Sequence, residues 1–476
     1  MNLQPTIQHE PSSLSHTPQQ LADLYQAQQQ FFAAGYTRSF TFRKNQLRVL
    51  YRAIQRHESK LMQALHEDLR KSEFESFGTE IGIVLKEISH IQQNLRGWMA
   101  HKRQSTPLMF FPSGSKIVPE PRGISLIIGP WNYPFQLIIS AMANSIAAGN
   151  TIILKPSELA PATTAALSAM VEETWEEEYI AVVNGPGHLV SSQLIEPYHL
   201  DIIHFTGSTA VGKLIMQSAA KQLSPVILEL GGKSPCIVAA DASIEYAAKK
   251  IAFTKLMNAG QVCVSADYLL VHESIKEKLV KAIIKNIEAM HGADARQSPY
   301  YGRIINEKHL LRLQSFLADG KIVYGGEVDI ADRYFSPTLM EDVAIDAPIM
   351  QQEIFGPILP IITYQTDAEA LAIIERHPYP LALYVYTNNK ATENFFISKV
   401  RFGGGCVNNG LIHLGNANLP LGGVGYSGMG SYHGRYGFEA FSHFKSIMRS
   451  STLIDFPLWY APYKKWYTTV LRKLMK

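Results

Sequence analysis

Hydrophobic residues recur at helical spacing through the first hundred residues of the chain. Leu47, Leu50 and Ile54 follow one another at intervals of three and four positions, with Tyr51 on the same side. This period puts apolar side chains on one face of a helix and leaves the opposite face polar. Residues 21–102 are therefore predicted to form amphipathic helices.

From Arg122 onward, short apolar runs alternate with longer amphipathic segments. Strands are predicted over 123–129, 151–154, 180–183, 201–205 and 226–228, and helices over 133–148, 160–173 and 208–222. Alternation of this kind is typical of a parallel, doubly wound sheet with helices on both faces.

The same alternation begins again at Ser234. Strands are predicted over 236–239, 268–271, 358–364 and 381–386, and helices over 243–257, 275–290, 367–375 and 391–400. The chain is thus expected to form two α/β domains, with the cleft between them near Gly231 and Gly232.

Two segments lie outside this alternation. Residues 1–18 are polar and contain several prolines, so they are predicted to form a loose arm. Residues 106–121 are also punctuated by proline and are predicted to be extended, with a short strand at Ile117 and Val118.

Composition narrows the class of protein. The chain has 476 residues, 46% of them hydrophobic, which is enough for two domains with separate cores. The 44 basic and 41 acidic residues nearly balance, so no global field draws the chain to nucleic acid or to a membrane. Three cysteines do not make a disulfide framework, which favours a reducing compartment. The sequence shows no signal peptide, transmembrane run or metal-binding signature, so we expect a cytoplasmic protein without a metal.

The three cysteines differ in their setting. Cys236 lies in an apolar strand and Cys406 follows three glycines, where a small buried hydrophobe is the usual role. Cys263 instead occupies a polar turn after Gly260 and Gln261, between a predicted helix and a predicted strand. A thiolate in such a turn can be exposed and bonded by backbone N–H groups, so Cys263 is a candidate nucleophile.

Glu229 stands at the end of a buried apolar run. A carboxylate in that position has a raised pKa unless it is paired. It can then act as a general base near neutral pH. The alternative is a structural Glu that accepts hydrogen bonds from neighbouring backbone N–H groups, and this residue alone leaves both interpretations open.

Several motifs occur in a fixed order along the chain. They are Pro-Trp-Asn-Tyr-Pro (130–134), Phe-Thr-Gly-Ser-Thr (205–209), Leu-Glu-Leu-Gly-Gly-Lys (228–233), Asn-Ala-Gly-Gln-Val-Cys (258–263), Glu-Ile-Phe-Gly-Pro (353–357) and a glycine-rich run (422–434). Together they resemble the signature set of the aldehyde dehydrogenase superfamily. The first and the last resemble its class 3 branch, the fatty and aromatic aldehyde dehydrogenases.

This resemblance extends from about residue 21 to about residue 443. It implies an α/β aldehyde dehydrogenase-like fold, with two Rossmann-like doubly wound parallel-sheet domains and a small bridging sheet. The expected divisions are 1–103 with 122–231 for the N-terminal helices and NAD(P)-binding domain, 232–428 for the catalytic domain, 104–121 with 429–448 for bridging and oligomerisation, and 449–476 for an amphipathic tail.

A glycine-containing turn follows the strand that ends at Phe205 and opens a helix. Gly207 and Gly212 have the spacing G-x-x-x-x-G, which departs from the usual dinucleotide fingerprint. Glycine lets the backbone approach a ligand, and a helix N-terminus attracts phosphate. Ser208 can cap the helix or bond a phosphate, and capping is favoured from the sequence alone. The spacing is that of the resembled superfamily, which implies cofactor binding by Thr206, Gly207, Ser208 and Gly212.

The resemblance assigns further cofactor contacts. Lys155 and Glu158 follow the second strand of this domain, where an acidic residue can bond ribose hydroxyls. Glu158 would repel a 2′-phosphate and Lys155 would tolerate one, so NAD is the implied cofactor and NADP the alternative. Glu353 resembles the residue that holds the nicotinamide ribose, with Phe355 packed nearby.

The resemblance also implies the chemistry. The Cys263 thiolate attacks an aldehyde, hydride leaves to the nicotinamide, and Glu229 activates the water that hydrolyses the thioester to a carboxylic acid. Asn132 is implied as an oxyanion donor beside the Cys263 N–H, although an Asn in a proline-rich turn is commonly only a turn residue. Tyr133 and His413 are weaker candidates for the substrate passage.

The glycine-rich run 422–430 looks like a phosphate loop but lacks the Lys-Ser/Thr that would complete one. We expect it to be an ordered turn-rich segment under the catalytic domain.

Other activities compete with this one. A cysteine hydrolase without a redox step would not need the two Rossmann-like halves or Glu353. A CoA-acylating dehydrogenase would resolve the thioester with a thiol, whereas Glu229 favours water. A non-catalytic relative should have lost Cys263 or Glu229, and both are present.

The C-terminal tail carries aromatic and basic residues. Apolar side chains at helical spacing are Tyr463, Trp466, Tyr467, Val470, Leu471 and Leu474. A basic, aromatic amphipathic helix is typical of a membrane interface, and the alternative is that this face packs on the protein or a dimer partner. We expect a homodimer with at most reversible peripheral contact to anionic membranes, and a preference for medium- to long-chain aldehydes.

Overall fold

The computed structural model describes residues 13–475. The α-helices are α1 (Pro18–Ala33), α2 (Phe40–Leu69), α3 (Glu73–Ser76), α4 (Gly82–Trp98), α5 (Gln136–Ala148), α6 (Pro161–Glu172), α7 (Thr209–Ala220), α8 (Ile244–Leu256), α9 (Lys276–His291), α10 (Glu307–Ser315), α11 (Pro348–Gln351), α12 (Asp367–Glu375), α13 (Lys390–Lys399), α14 (Gly434–Ala440) and α15 (Lys465–Leu474).

The strands form three larger sheets and one short two-stranded ribbon. They are β1 (Lys102–Gln104), β2 (Gly114–Pro121), β3 (Ile124–Ile128), β4 (Thr151–Lys155), β5 (Ile180–Val182), β6 (Ile202–Gly207), β7 (Val226–Leu230), β8 (Pro235–Val238), β9 (Tyr268–His272), β10 (Lys321–Tyr324), β11 (Val328–Asp329), β12 (Tyr334–Phe335), β13 (Thr338–Glu341), β14 (Ile358–Tyr364), β15 (Ala382–Tyr386), β16 (Gly404–Val407), β17 (Gly428–Met429) and β18 (Ser442–Arg449).

The six-stranded sheet has the order β17-β7-β6-β3-β4-β5. All of its pairings are parallel except that of β17 with β7. Every residue of β3 and β4 is buried because helices cover both faces, which is why these strands are continuous apolar runs. Helices α2, α4 and α5 pack on one face in a single core, as the helical period of the first hundred residues predicted.

The seven-stranded sheet has the order β10-β13-β14-β9-β8-β15-β16. It is parallel except at its β10 edge. The predicted pair of doubly wound sheets is confirmed. The strands β10 to β13 were not predicted, because each has four residues or fewer and shows no clear alternation.

The three-stranded sheet is antiparallel and has the order β1-β2-β18. Residues 114–121 pair along their whole length with 442–449, so the short strand expected at Ile117 and Val118 is longer than predicted. Leu108–Phe110 forms a 3₁₀ turn within the segment that was expected to be extended throughout. The small bridging sheet of the predicted fold is therefore present.

The predicted loose arm is wrong for its last residues and lies outside the described residues for 1–12. Leu14 is buried in the core under β3. Ser15 donates its backbone N–H to the Asn184 carbonyl at 2.8 Å, and Thr17 caps α1. Residues 13–17 are thus fixed to the six-stranded sheet.

The predicted amphipathic tail forms helix α15, whose apolar face is smaller than expected. Tyr467 is buried, with Val470, Leu471 and Leu474 partly covered, and the helix packs beside the Leu108–Phe110 turn. Tyr463 precedes the helix and is exposed, as is Trp466. Within residues 13–475, no helix is both long enough and apolar enough to cross a bilayer.

Candidate active site

Cys263 follows a turn whose backbone requires special residues. Helix α8 ends at Leu256, and Asn258 and Ala259 then take left-handed conformations with φ of 50°. Gly260 follows with φ of 75°, and a Cβ there would collide with the Gly356 carbonyl. The chain must therefore turn tightly between α8 and β9, immediately before Cys263.

Gln261 fixes this turn from within. Its side chain is fully buried and donates to the carbonyl oxygens of Asn258 at 3.0 Å and Arg303 at 2.9 Å. Its amide oxygen accepts the Ile305 N–H at 3.0 Å. The turn that carries Cys263 is thus tied to the segment before α10.

The thiol of Cys263 is partly exposed, and its pKa is raised well above the ordinary cysteine value. Burial is the largest cause, and the nearby carboxylates Glu229 and Glu353 add to it. The backbone N–H groups of Cys263 and Val264 act in the opposite direction, but more weakly. These directions favour a neutral thiol in the resting site, with the backbone N–H groups that the sequence analysis expected beside it.

Glu229 lies in β7 and is 2% exposed. Its Oε2 accepts hydrogen bonds from the Tyr432 hydroxyl at 2.9 Å and the Thr206 hydroxyl at 3.2 Å. Burial raises the pKa of Glu229, and these two hydrogen bonds and the charge of His433 partly offset the rise. The predicted raised pKa is confirmed.

Tyr432 was not predicted as a site residue. It follows the glycine-rich run 422–430, for which the sequence predicts only ordered turns. Gly428 of β17 pairs with Glu229 and Met429 pairs with Leu228. Residues 428–429 therefore form the edge of the six-stranded sheet, whereas Gly422 and Gly423 lie against Gly403, next to β16 of the seven-stranded sheet. A Cβ at Gly428 would meet the Leu228 carbonyl, which explains glycine at this position.

Asn132 is buried beside the Cys263 turn. Its Nδ2 donates to the Gln261 carbonyl at 3.0 Å, which uses one of the two amide hydrogens. Its backbone carbonyl accepts from Asn258 Nδ2 at 2.8 Å and from Lys71 Nζ at 3.0 Å. The turn at 130–134 is thus held against the turn at 257–261.

Lys71 and Glu80 form a fully buried ion pair under the 130–134 turn. Glu80 also accepts the backbone N–H groups of Gln136 at 2.8 Å and Phe135 at 3.2 Å, at the start of α5. The sequence offers one clue, since both charges lie among buried apolar positions such as Leu69 and Ile81. Their pairing could not be inferred from that clue alone.

Tyr133 is buried with the Lys71 ammonium 3.9 Å from its ring centroid. Burial raises the pKa of Tyr133, and the charges of Glu75, Glu80 and Cys263 add to the effect.

His413 lies on another side of the Cys263 turn. Its ring is 6.2 Å from that of Tyr384, whose hydroxyl donates to the Val264 carbonyl at 2.6 Å. Burial lowers the pKa of His413 to about 4, so this imidazole is neutral. His413 Nδ1 lies 3.4 Å from Cys406 Sγ. The expected buried role is confirmed for Cys236, but it is wrong for Cys406, which is only partly buried.

Lys155 and Glu158 are paired after β4. Lys155 Nζ contacts Glu158 Oε2 at 3.1 Å and the Pro156 carbonyl at 2.7 Å. Glu158 Oε1 accepts the Gly187 N–H at 2.7 Å. Both oxygens of the Glu158 carboxylate are thus held by hydrogen bonds within the protein. The residue lies at the carboxyl ends of the parallel strands, where ribose binds in such folds.

The turn after β6 has the geometry of a helix cap. Ser208 accepts the Val211 N–H at 3.4 Å, so the capping interpretation is confirmed. Gly212 packs on Leu230, and a Cβ there would lie 2.5 Å from its side chain. Helix α7 can therefore approach β7 closely, and its N-terminus points to the cleft edge near Thr206 and Gly207.

The carboxylate of Glu353 lies directly against Gly231. A Cβ at position 231 would overlap it. Burial raises the pKa of Glu353 to about 8. Arg312 holds this segment by donating to the carbonyls of Glu353 at 3.1 Å and Ile354 at 2.6 Å.

Phe355 stacks edge to face on Trp131, with ring centroids 5.2 Å apart. This contact connects the Glu353 segment to the 130–134 turn. A buried Lys233 bonds Asp267 and the Gln352 carbonyl, and so fixes the other side of the same segment.

A cavity of about 350 Å³ opens beside these groups and is lined by Thr209, Gly231 and Glu353 among others. Gly231 has no side chain and therefore lets the Glu353 carboxylate approach the cavity wall, and Thr209 at the N-terminus of α7 lines the same cavity. A carboxylate for ribose hydroxyls and a helix N-terminus for phosphate suit a dinucleotide. The residues therefore fit a nicotinamide cofactor.

The two doubly wound sheets that flank a cleft define an α/β protein of the dinucleotide-binding type. The aldehyde dehydrogenase family model matches residues 13–447. This chain belongs to the aldehyde dehydrogenase family.

Named relatives refine the assignment. The 4,4′-diaponeurosporen-aldehyde dehydrogenase of Staphylococcus aureus is 46% identical, with 91% of this chain and 95% of that protein covered. Human aldehyde dehydrogenase family 3 member B1 is 41% identical, with 90% and 92% covered. The rat dimeric NADP-preferring aldehyde dehydrogenase is 40% identical, with 91% and 95% covered.

A solved structure agrees with these relatives. Staphylococcus aureus AldH in a substrate-bound state has a TM-score of 0.93 and 44% identity, with 96% of this chain and 99% of that chain covered. The chain is thus a class 3 aldehyde dehydrogenase, an oxidoreductase that converts aldehydes to carboxylic acids with NAD or NADP. The resemblance drawn from the motifs is confirmed, and a hydrolase without a redox step is not supported.

Proposed function

We propose that Cys263 is the nucleophile of this aldehyde oxidation. The support is that Cys263 follows a turn held by the bonds of Asn132 and Asn258 to the Gln261 carbonyl, and that the Glu229 and Glu353 carboxylates both raise the pKa of its thiol. Because the resting thiol is neutral, its proton leaves as sulfur bonds to the aldehyde carbon. That proton passes to solvent water, so Glu229 remains free to accept a proton in the later hydrolysis step.

The oxyanion that forms on the aldehyde oxygen needs fixed donors. We assign this role to the second amide hydrogen of Asn132 and to the Cys263 backbone N–H. The bond from Asn132 to the Gln261 carbonyl fixes the amide beside the nucleophile. Donors of this kind contribute about 2.7–4 kcal/mol to transition-state stabilisation.

A bound NAD(P) would supply the hydride acceptor for the Cys263 adduct. Lys155 and Glu158 would hold its adenosine ribose, and Glu353 with Phe355 would hold and cover its nicotinamide end. Thr206, Gly207, Ser208 and Gly212 would shape the intervening phosphate site. In this proposal residues 1–103 and 122–231 serve as the cofactor domain, and residues 232–428 as the catalytic domain.

Loss of hydride leaves a thioester on Cys263. Glu229 then takes a proton from water as the water oxygen bonds to the thioester carbon. The carbon–sulfur bond breaks, Cys263 leaves as thiolate, and the carboxylic acid departs past Tyr133 and His413. The Glu229 carboxylate supports water rather than a second thiol as the acceptor.

The substrate is proposed to be a medium- to long-chain or aromatic aldehyde. The name of the Staphylococcus aureus relative, a diaponeurosporen-aldehyde dehydrogenase, supports an extended apolar aldehyde. Exposed aromatic residues in the C-terminal tail support reversible contact with an anionic membrane, where such substrates concentrate.

The assembly is proposed to be a cytoplasmic homodimer. Strand β18 is the outer strand of the three-stranded sheet, with Ile447 and Met448 exposed along it. An uncovered edge of this kind can pair with a second copy. A relative is named as dimeric, which agrees with this proposal.

The nucleophile assignment is tested with Cys263→Ser, compared with Cys406→Ser as a matched thiol control. NADH formation should be abolished in the first variant and largely retained in the second. Calorimetric NAD binding should remain nearly normal in both, because the thiol carries out the covalent step and not the docking. Retention of more than a few per cent of the activity by Cys263→Ser would refute the assignment.

A further inference from the structure

Tyr432 lies at the edge of the six-stranded sheet. Its backbone exchanges two hydrogen bonds with Leu421, at 2.8 and 3.0 Å. The side chain has no exposed surface. Strand β17 ends three residues before Tyr432 and pairs with β7, so hydrogen bonds hold the backbone on this side as well.

The two hydroxyl donors converge on one oxygen of the Glu229 carboxylate. Tyr432 contributes a bond of 2.9 Å and Thr206 a bond of 3.2 Å, both to Oε2. Across residues 13–475, no other side-chain hydrogen bond reaches this carboxylate. The arrangement anchors Oε2 and leaves Oε1 for another partner.

Aromatic rings fix the orientation of Tyr432. His204 meets it edge to face at 4.8 Å, and His433 does so at 4.7 Å. Burial lowers the pKa of His204 to about 3, so this ring is neutral and acts by packing. Neither of its nitrogens has a hydrogen-bond partner among the described residues.

The groups that face Glu229 act in opposite directions. Burial raises its pKa, whereas the Tyr432 hydrogen bond, the charge of His433 and the Thr206 hydrogen bond lower it, in that order. The thiol of Cys263 completes this environment. Removing the Tyr432 hydroxyl would therefore raise the pKa of Glu229 further, and the carboxylate would be protonated more easily.

We propose that Tyr432 is a positioning residue for Glu229, whose phenol O–H anchors one carboxylate oxygen so that the other accepts the proton of the hydrolytic water. The inference rests on the proposed role of Glu229 as general base. In the step itself, the water oxygen bonds to the thioester carbon, Glu229 receives one proton, and Cys263 leaves with the electron pair of the broken carbon–sulfur bond.

Hydrolysis can be isolated from hydride transfer with p-nitrophenyl acetate, which should acylate the same thiol without cofactor. The p-nitrophenolate burst reports acylation, and the following steady phase reports hydrolysis of the acyl-enzyme. Tyr432→Phe keeps the ring and its packing but removes the donor. Its burst amplitude should be unchanged, its hydrolysis at pH 6 about tenfold slower, and the acid limb of its pH profile displaced to higher pH.

Tyr301→Phe is the matched control, because that buried phenol donates to the Phe335 carbonyl at 2.8 Å, away from Glu229. It should keep the wild-type pH profile, even if its melting temperature falls. Thr206→Val removes the second donor and should displace the limb in the same direction, while Thr206→Ser should restore it.

Two results are decisive. If neither Tyr432→Phe nor Thr206→Val moves the acid limb, Tyr432 only packs, and the inference is overturned while the base assignment stands. If Tyr432→Phe does not fold, the Thr206 pair alone carries this decision. Normal hydrolysis by Glu229→Gln would instead overturn the proposed function itself.

Discussion

The ammonium group of Lys71 lies 3.0 Å from the carbonyl oxygen of Asn132 and also pairs with the buried carboxylate of Glu80. The ion pair therefore supports the turn that presents the proposed oxyanion donor. Because both charges are removed from water, each depends on the other for compensation.

Lys71→Met should lower the free energy of unfolding by about 3–5 kcal/mol, because Glu80 is left buried without its partner. The double variant Lys71→Met with Glu80→Gln should recover part of this loss, since the unpaired charge at position 80 is then also removed. Differential scanning calorimetry of the two variants shows which of them is more stable. A double variant less stable than Lys71→Met would contradict it.

Lys71→Met should also reduce kcat/KM by roughly tenfold, because a loosened Asn132 turn weakens one oxyanion donor. Steady-state kinetics with a short aldehyde at a temperature well below the melting point measures the effect.

Glu229→Gln should allow hydride transfer but stall thioester hydrolysis, since the amide cannot accept a proton. Stopped-flow absorbance should show a burst of NADH close to one per active site, without steady turnover. Glu196→Gln is a suitable control, as Glu196 bonds Lys221 and Ser218 near the surface. Normal turnover by Glu229→Gln would mean that another group is the base.

Glu158→Ala should shift cofactor preference toward NADP by roughly tenfold, because it removes a charge that repels a 2′-phosphate and frees the Lys155 ammonium. Glu158→Gln separates charge from shape and should shift the preference in the same direction. The ratio of kcat/KM for NAD and NADP measures it. An unchanged ratio in both variants would show that Glu158 does not face the ribose.

The reactivity of Cys263 should increase with pH across the whole range in which the protein is stable. Burial and two carboxylates raise its pKa above the ordinary value of 9.0, so the thiolate is scarce at pH 7 and becomes more abundant as pH rises. The rate of activity loss with iodoacetamide should therefore still increase between pH 8 and pH 9. A plateau below pH 8 would indicate a thiolate that is already formed.

Deletion of residues 456–476 should reduce co-sedimentation with anionic liposomes at low salt and should alter kinetics for long-chain aldehydes more than for short-chain ones. Exposed Trp459, Tyr460 and Trp466 supply the apolar contact, and the basic residues around α15 supply the attraction to lipid.

A variant with Lys464, Lys465, Arg472 and Lys473 all changed to Gln tests the charges separately. It should lose the salt-dependent part of binding and keep the helix. If both deletion and charge removal leave binding and kinetics unchanged, the tail is a packing element only.

The sequence predicted the local elements well where they are long and periodic. Strand β14 and helix α12 have the predicted bounds, because each consists of one uninterrupted pattern between clear turns. The neutral state of Cys263 was not predicted, since it depends on carboxylates from two other segments. Tyr432 was missed for the same reason: it lies 203 positions from Glu229, and no periodicity joins residues at that separation.

The hydrogen bond between Glu229 and Tyr432 has a consequence for synthesis of the chain, because Glu229 is made before its partner. Tyr432 is synthesised 203 positions after Glu229. A nascent chain can form strands β3 to β7 of the six-stranded sheet and still lack Tyr432, which bonds this carboxylate. The proposed catalytic cycle can therefore be completed only after the chain through Tyr432 has left the ribosome.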